Sequence, residues 1–127
     1  MSGADLTKLS IRLLREHGFE ADLVERRNQY VSHDLFGCLD LFAMRKSDRR
    51  VMGIQVTSRS NRSSRIKKIL QTEEIADRMV TWLFCGLELE VWCWDKSEAC
   101  HRLGRDVFTL DEPRTGFKVT RRDTGFH

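Results

Sequence analysis

The chain contains no apolar run approaching the roughly 18 residues of a membrane-spanning helix, and its first residues lack the apolar centre of a signal peptide. A soluble, intracellular protein is therefore expected. Its four cysteines, Cys38, Cys85, Cys93 and Cys100, form no CxxC pair. They fall in or near apolar stretches, so reduced core thiols are expected rather than a disulfide framework. Cys93, Cys100 and His101 match no common zinc-ligand spacing. Repeats and low-complexity tracts are absent, and the single proline, Pro113, marks a boundary.

What is present fits one globular domain. At 127 residues, 40% hydrophobic and 32% charged, the chain is long enough to bury a core and too apolar for wholesale disorder. The net charge of +3 is modest, but five cations (Arg59, Arg62, Arg65, Lys67, Lys68) and no acid lie between Thr57 and Lys68. Such a run reads equally as a patch for a polyanion or as a solvated helix face.

The sequence is organised around Leu35–Arg65. Two short apolar runs, about Cys38–Arg45 and Val51–Thr57, flank the charged turn Lys46–Arg50 and predict a hairpin. Asp40 sits in the first run, and Gln55 and Thr57 end the second. Side chains alternate along a strand, so Gln55 and Thr57 share a face and Asp40 can lie beside them. Polar groups gathered on apolar strands cost stability unless they bind something.

Around this hairpin, Asp5–His17 carries a helical apolar stripe that Gly18 can end. Phe19–Arg26 alternates like a strand, with Glu25 on its apolar side. Ser58–Asn61 leads into a helix for which Ser60, Asn61, Ser63 and Ser64 are candidate caps. Ile75, Met79, Trp82 and Leu83 predict a further helix that starts after Thr72. Glu88–Trp94 reads as a central strand whose Trp92 and Trp94 either cover a core or stack on bases. Arg102–Leu110 reads as a short edge strand broken by Gly104. Residues 1–112 are taken as the domain and 113–127 as a polar, cationic tail. The fold class is α/β, an α+β mixed sheet with helices against it.

Asp34-Leu-Phe-Gly37 with Asp40, followed by Gln55-Val-Thr-Ser58 with Ser60-Asn61, resembles the PD-(D/E)xK restriction-endonuclease-like superfamily, whose core order is αβββαβ. The layout is nearest to the archaeal-type Holliday-junction resolvases, and the two signatures are similar to those of small phage and prophage proteins. The resemblance covers about Asp5–Asp95. It implies a metal-dependent DNA endonuclease in a bacterial cytoplasm, phage-encoded, or a catalytically degenerate nucleic-acid-binding relative.

In that superfamily two acids hold Mg²⁺ or Mn²⁺ and a lysine handles the attacking water. Asp40 then takes the place of the first acid, with Leu39 where the motif has proline; Gln55 stands at the second acid and Thr57 at the lysine. Asp40, Gln55 and Glu25 or Asp34 become the expected metal ligands, with Lys67 or Lys68 supplying the missing cation and His33 or Glu25 a base. Ser58, Arg59, Asn61, Arg62 and Arg65 become the expected DNA contacts. A resolvase role implies a homodimer, for which Trp92, Trp94 and the exposed side of Ile75–Phe84 are the candidate surface, residues that serve equally as core.

Overall fold

The computed structural model describes residues 3–24, 26–27, 32–96, 101–112, 116–123 and 126. A six-stranded mixed sheet lies between one helix on one face and two on the other. The elements run α1 (Gly3–Glu16), β1 (Glu20–Leu23), β2 (Arg26–Arg27), β3 (Ser32–His33), β4 (Leu41–Arg45), β5 (Arg50–Ser58), a 3-10 turn (Arg59–Asn61), α2 (Arg62–Gln71), α3 (Glu73–Phe84), β6 (Glu88–Lys96), β7 (His101–Leu110) and β8 (Phe117–Arg122). The sheet order is β1-β4-β5-β6-β7-β8, and β2 and β3 form a separate two-residue ribbon. Among the described residues only β5 and β6 are parallel neighbours, joined through α2 and α3; the other ladders there are antiparallel. The expected α+β mixed sheet is thus present.

Helix α1 forms because Leu6, Ser10 and Leu14 recur at four-residue spacing and are all buried. Ser10 is tolerated there because its hydroxyl donates to Leu6 O at 2.8 Å and accepts the Trp94 indole N–H at 2.9 Å. Gly18 ends the helix at φ 83°, a left-handed value that only glycine takes without strain. On this face Leu14, Phe19, Leu41, Met52, Ile54 and Trp92 make one core; on the other, Leu39, Ile69, Met79, Trp82, Leu89 and Phe108 make the second. Truncating any of these large side chains to alanine is worth about 2–5 kcal/mol.

Several expectations are revised. The first hairpin strand begins at Leu41, because residues 35–38 turn back on themselves and Leu35 bridges Leu39. Strand β7 is neither short nor at the edge: it runs ten residues between β6 and β8. Gly104 does not break it; a Cβ there would collide with the Arg121 guanidinium, so glycine is what lets Arg121 lie across the strand.

The segment read as a tail contributes β8, and Phe126 packs on Trp92 at 4.9 Å and on Phe19 at 5.8 Å between ring centres. Neither α2 nor α3 has a side-chain N-cap hydrogen bond, contrary to the serine-rich capping expected. Cys38 and Cys93 are buried thiols and Cys85 is exposed; Cys100 lies outside the described residues. Among the described residues no helix is long and apolar enough to cross a membrane.

A candidate cation site where β4 and β5 meet

Strand β4 runs antiparallel to β5 with Leu41 opposite Ile54, which puts Asp40 opposite Gln55. The Asp40 backbone is held from both sides: its N–H donates to Ile54 O at 2.9 Å, and its carbonyl accepts Val24 N–H at 3.1 Å. Its carboxylate accepts the Gln55 Nε2 hydrogen at 2.6 Å and the Val56 N–H at 2.8 Å, both on Oδ2. The acid and the amide that the alternation placed on one face therefore meet in space.

Asp34 arrives through the turn. The backbone folds back at Phe36 (φ 54°) and Gly37 (φ 79°), with Gly37 N–H bonded to Asp34 O at 3.2 Å. A left-handed phenylalanine is strained, and strain of that kind collects at functional turns. The result is a second carboxyl hydrogen-bonded to Asp40.

Burial pushes the Asp40 carboxyl up to about 7; the Val56 amide opposes this, while the charge and hydrogen bond of Asp34 add to it and Gln55 eases it. Cys38, two residues before Asp40, is pushed up to about 12, first by burial; the Lys68 ammonium pulls it down and Asp34 and Asp40 raise it. That thiol stays protonated and packs as a core side chain. The same coupling puts the ammonium of Lys68 of α2, half-buried, near the Cys38 thiol.

Gln55 is buried, 2% exposed, yet its Oε1 has no hydrogen-bond partner. An unpaired buried carbonyl costs about 1–3 kcal/mol. Two carboxyls and a free amide oxygen are the donors a hard divalent cation takes, so the residues present fit Mg²⁺ or Mn²⁺. Among the described residues no group of three or more His, Cys, Asp or Glu gathers anywhere.

The other expected site residues are distributed differently. Thr57 is buried one pleat further along the Gln55 face. Lys67 is exposed, and nothing ties it to the acids. Glu25 lies outside the described residues, as does the side chain of His33. Arg59 pairs with Asp95 at 2.8 Å, and Arg62 grips the fully buried Asp106 through two bonds of 2.8 and 2.7 Å. Two of the five cations expected to face a polyanion are thus matched by acids of the same chain. Arg65 keeps a buried Nε without a partner. Ser58, Ser60 and Asn61 bond among themselves, with Ser58 Oγ 3.0 Å from Ser60 Oγ and accepting Asn61 Nδ2 at 3.3 Å.

Trp92 and Trp94 are 0% and 7% exposed, and Ile75, Met79 and Trp82 face inward, so these five cover the core; on the exposed side of the same helix Phe84 is 64% exposed. The chain matches no protein-family model, no curated protein and no solved structure.

Sequence reasoning missed the acids Glu90 and Asp106 and the arginines that hold them. Glu90, 1% exposed, accepts Arg105 Nε at 2.6 Å and Trp92 Nε1 at 3.0 Å. One signal was readable: Glu90 shares its strand face with Trp92 and Trp94, an acid on an apolar side.

Proposed function

We propose that the chain is a metal-dependent nuclease acting on DNA, with a restriction-endonuclease-like core made of α1, β1, β4, β5, the α2–α3 pair and β6. The observation that carries the reading is the buried, unpartnered Gln55 Oε1 beside Asp40 and Asp34. A site that had lost its metal for good would be free to pair or replace that oxygen; keeping it open is explained by a ligand that fills it.

Asp40, Asp34 and Gln55 hold the cation, Mg²⁺ or Mn²⁺. When bound, it supplies positive charge to the scissile phosphate and acidity to a water. The backbone bonds to Val24 and Ile54 fix the Asp40 main chain, and Gln55 Nε2 and the Val56 N–H hold its carboxylate. Lys68, half-buried on α2 and near Cys38, takes over the positive charge that Thr57 cannot carry. Arg65 and Lys67, which have no acid partner among the described salt bridges, are the phosphate contacts.

A second reading, a nuclease fold that binds nucleic acid without cutting it, is favoured by the Gln55 N–H that already occupies Asp40. One assay separates the two. Supercoiled, branched and single-stranded DNA incubated with Mn²⁺ are nicked by the wild type and left intact by Asp40→Asn. DNA bound with a steep salt dependence but never nicked establishes the second reading; nicking that survives Asp40→Asn removes this site from the chemistry.

A further inference from the structure

The turn that brings Asp34 to the cation site carries a phenylalanine where the backbone asks for something smaller. Asp34–Gly37 closes with the Gly37 N–H on Asp34 O at 3.2 Å, and its third residue, Phe36, sits at φ 54°. A positive φ at that place favours glycine or asparagine, and a bulky side chain adopts it only at a cost. Gly37 seats the turn against α3, since a Cβ there would lie 3.1 Å from Ile75 Cδ1.

The Phe36 ring gains only partial burial in return. It is 39% exposed, meeting Trp82 edge-on at 6.3 Å between ring centres and the Arg78 guanidinium at 5.6 Å. A core contact can be made from a relaxed backbone. A half-exposed ring held in a strained turn is the pattern of a residue kept for what it touches outside the fold. Among the described residues the other exposed phenylalanine, Phe84, closes α3 at the far end of that helix.

Position says what Phe36 would touch. It shares a turn with Asp34, a turn whose ends lie within about 7 Å of each other, and the Asp34 carboxyl is bonded to Asp40. A second path leads to the same place: Asp40 and Phe42 lie two residues apart on one face, and Phe42 packs on Trp82 at 6.1 Å, as Phe36 does. Arg78, exposed and without an acid partner among the described salt bridges, adds a positive charge beside the ring.

We propose that Phe36 is a stacking platform for one unpaired base next to the scissile phosphate, with Arg78 attracting that nucleotide's own phosphate. Aromatic side chains hold single strands in this way with little regard to sequence. The inference rests on the nuclease reading and names the form of its substrate. A base inside a duplex already has neighbours on both faces, so single-stranded or locally unpaired DNA is what Phe36 selects.

Fluorescence anisotropy of the full chain, in buffer free of divalent ions so that nothing is cut, compares two labelled strands: oligothymidylate and an abasic strand of the same backbone. The wild type binds oligothymidylate about tenfold more tightly. Phe36→Leu keeps apolar bulk but loses the aromatic face; it erases that difference and binds the abasic strand as the wild type does, which shows that it is folded. Phe36→Trp retains the preference. In the wild type the Phe36 ring-proton signals move on addition of oligothymidylate and not of the abasic strand, a reading that no loss of fold in a variant can confound. Equal affinity of the wild type for the two strands, a preference that survives Phe36→Leu, ring signals that ignore the bases, or no binding of either strand overturns the proposal. Asp40→Asn keeps the base preference and loses Mn²⁺-dependent nicking, whereas nicking by a wild type without the preference leaves the nuclease reading standing and removes Phe36 alone.

Discussion

The sheet buries acids in two ways, side by side. Asp106, fully buried, lies on the same cross-strand row as Gln55, two strands away through Val91, and is held by Arg62 and by Arg121 at 3.1 Å. Glu90, on the opposite face, is held by Arg105 and the Trp92 indole. Among the described residues Asp40 has no such partner: an amide, a backbone N–H and a second acid surround it. A buried charge survives when it is paired. Where the chain supplies arginines the acid is structural, and where it supplies another acid and an orphaned carbonyl the proposed cation would bring the missing charge.

The contrast is broken most severely at the paired acids. Arg105→Met leaves Glu90 buried and uncompensated, and urea melts should show a loss of about 3–5 kcal/mol. A loss below 1 kcal/mol would mean that this pair is no more structural than an exposed one.

Asp40→Asn acts in the opposite direction. With its carboxyl pushed up to about 7 from an ordinary 3.8, the folded chain holds the proton more tightly than the unfolded one. The stability Asp40 contributes is whole below about pH 4 and drains away as pH rises through 7. The full difference would be about 4 kcal/mol; residual solvent at this half-buried group brings it to about 2 kcal/mol. Melts of Asp40→Asn and wild type should therefore agree near pH 4, and at pH 8 the variant should be the more stable by that amount. Equal stability at both pH values removes the strain from the site.

The smallest effect belongs to Arg59→Ala. The Arg59 and Asp95 side chains are 71% and 46% exposed, so stability should change by less than about 0.5 kcal/mol. DNA affinity should fall uniformly across sequences, with the salt slope reduced by about one. An unchanged slope would remove Arg59 from the DNA contacts.

The sequence made the near-neighbour geometry readable and left the long-range geometry hidden. Period-two alternation placed Asp40 across from Gln55, because a hairpin fixes register over few residues. Helix α1, helix α3 and the central position of β6 followed from equally local patterns. The Arg62–Asp106 pair joins residues 44 apart, and no local period reports such a partner. Strand β7 was legible over Arg102–Leu110, but its interior position was not: Arg105 and Asp106 are buried and paired, so charges that read as an edge lie inside the sheet. Strand β8 was missed because its pleats are only half-buried against β7 at the sheet edge.

Calorimetric titration with Mn²⁺ addresses the Asp40 site most directly. The wild type should take up the ion, Gln55→Leu should bind it at least about tenfold more weakly through loss of one ligand oxygen, and Asp40→Asn should show no uptake. Wild-type heats indistinguishable from those of Asp40→Asn would contradict the account, because the unpaired oxygen and the acid pair would then be holding nothing.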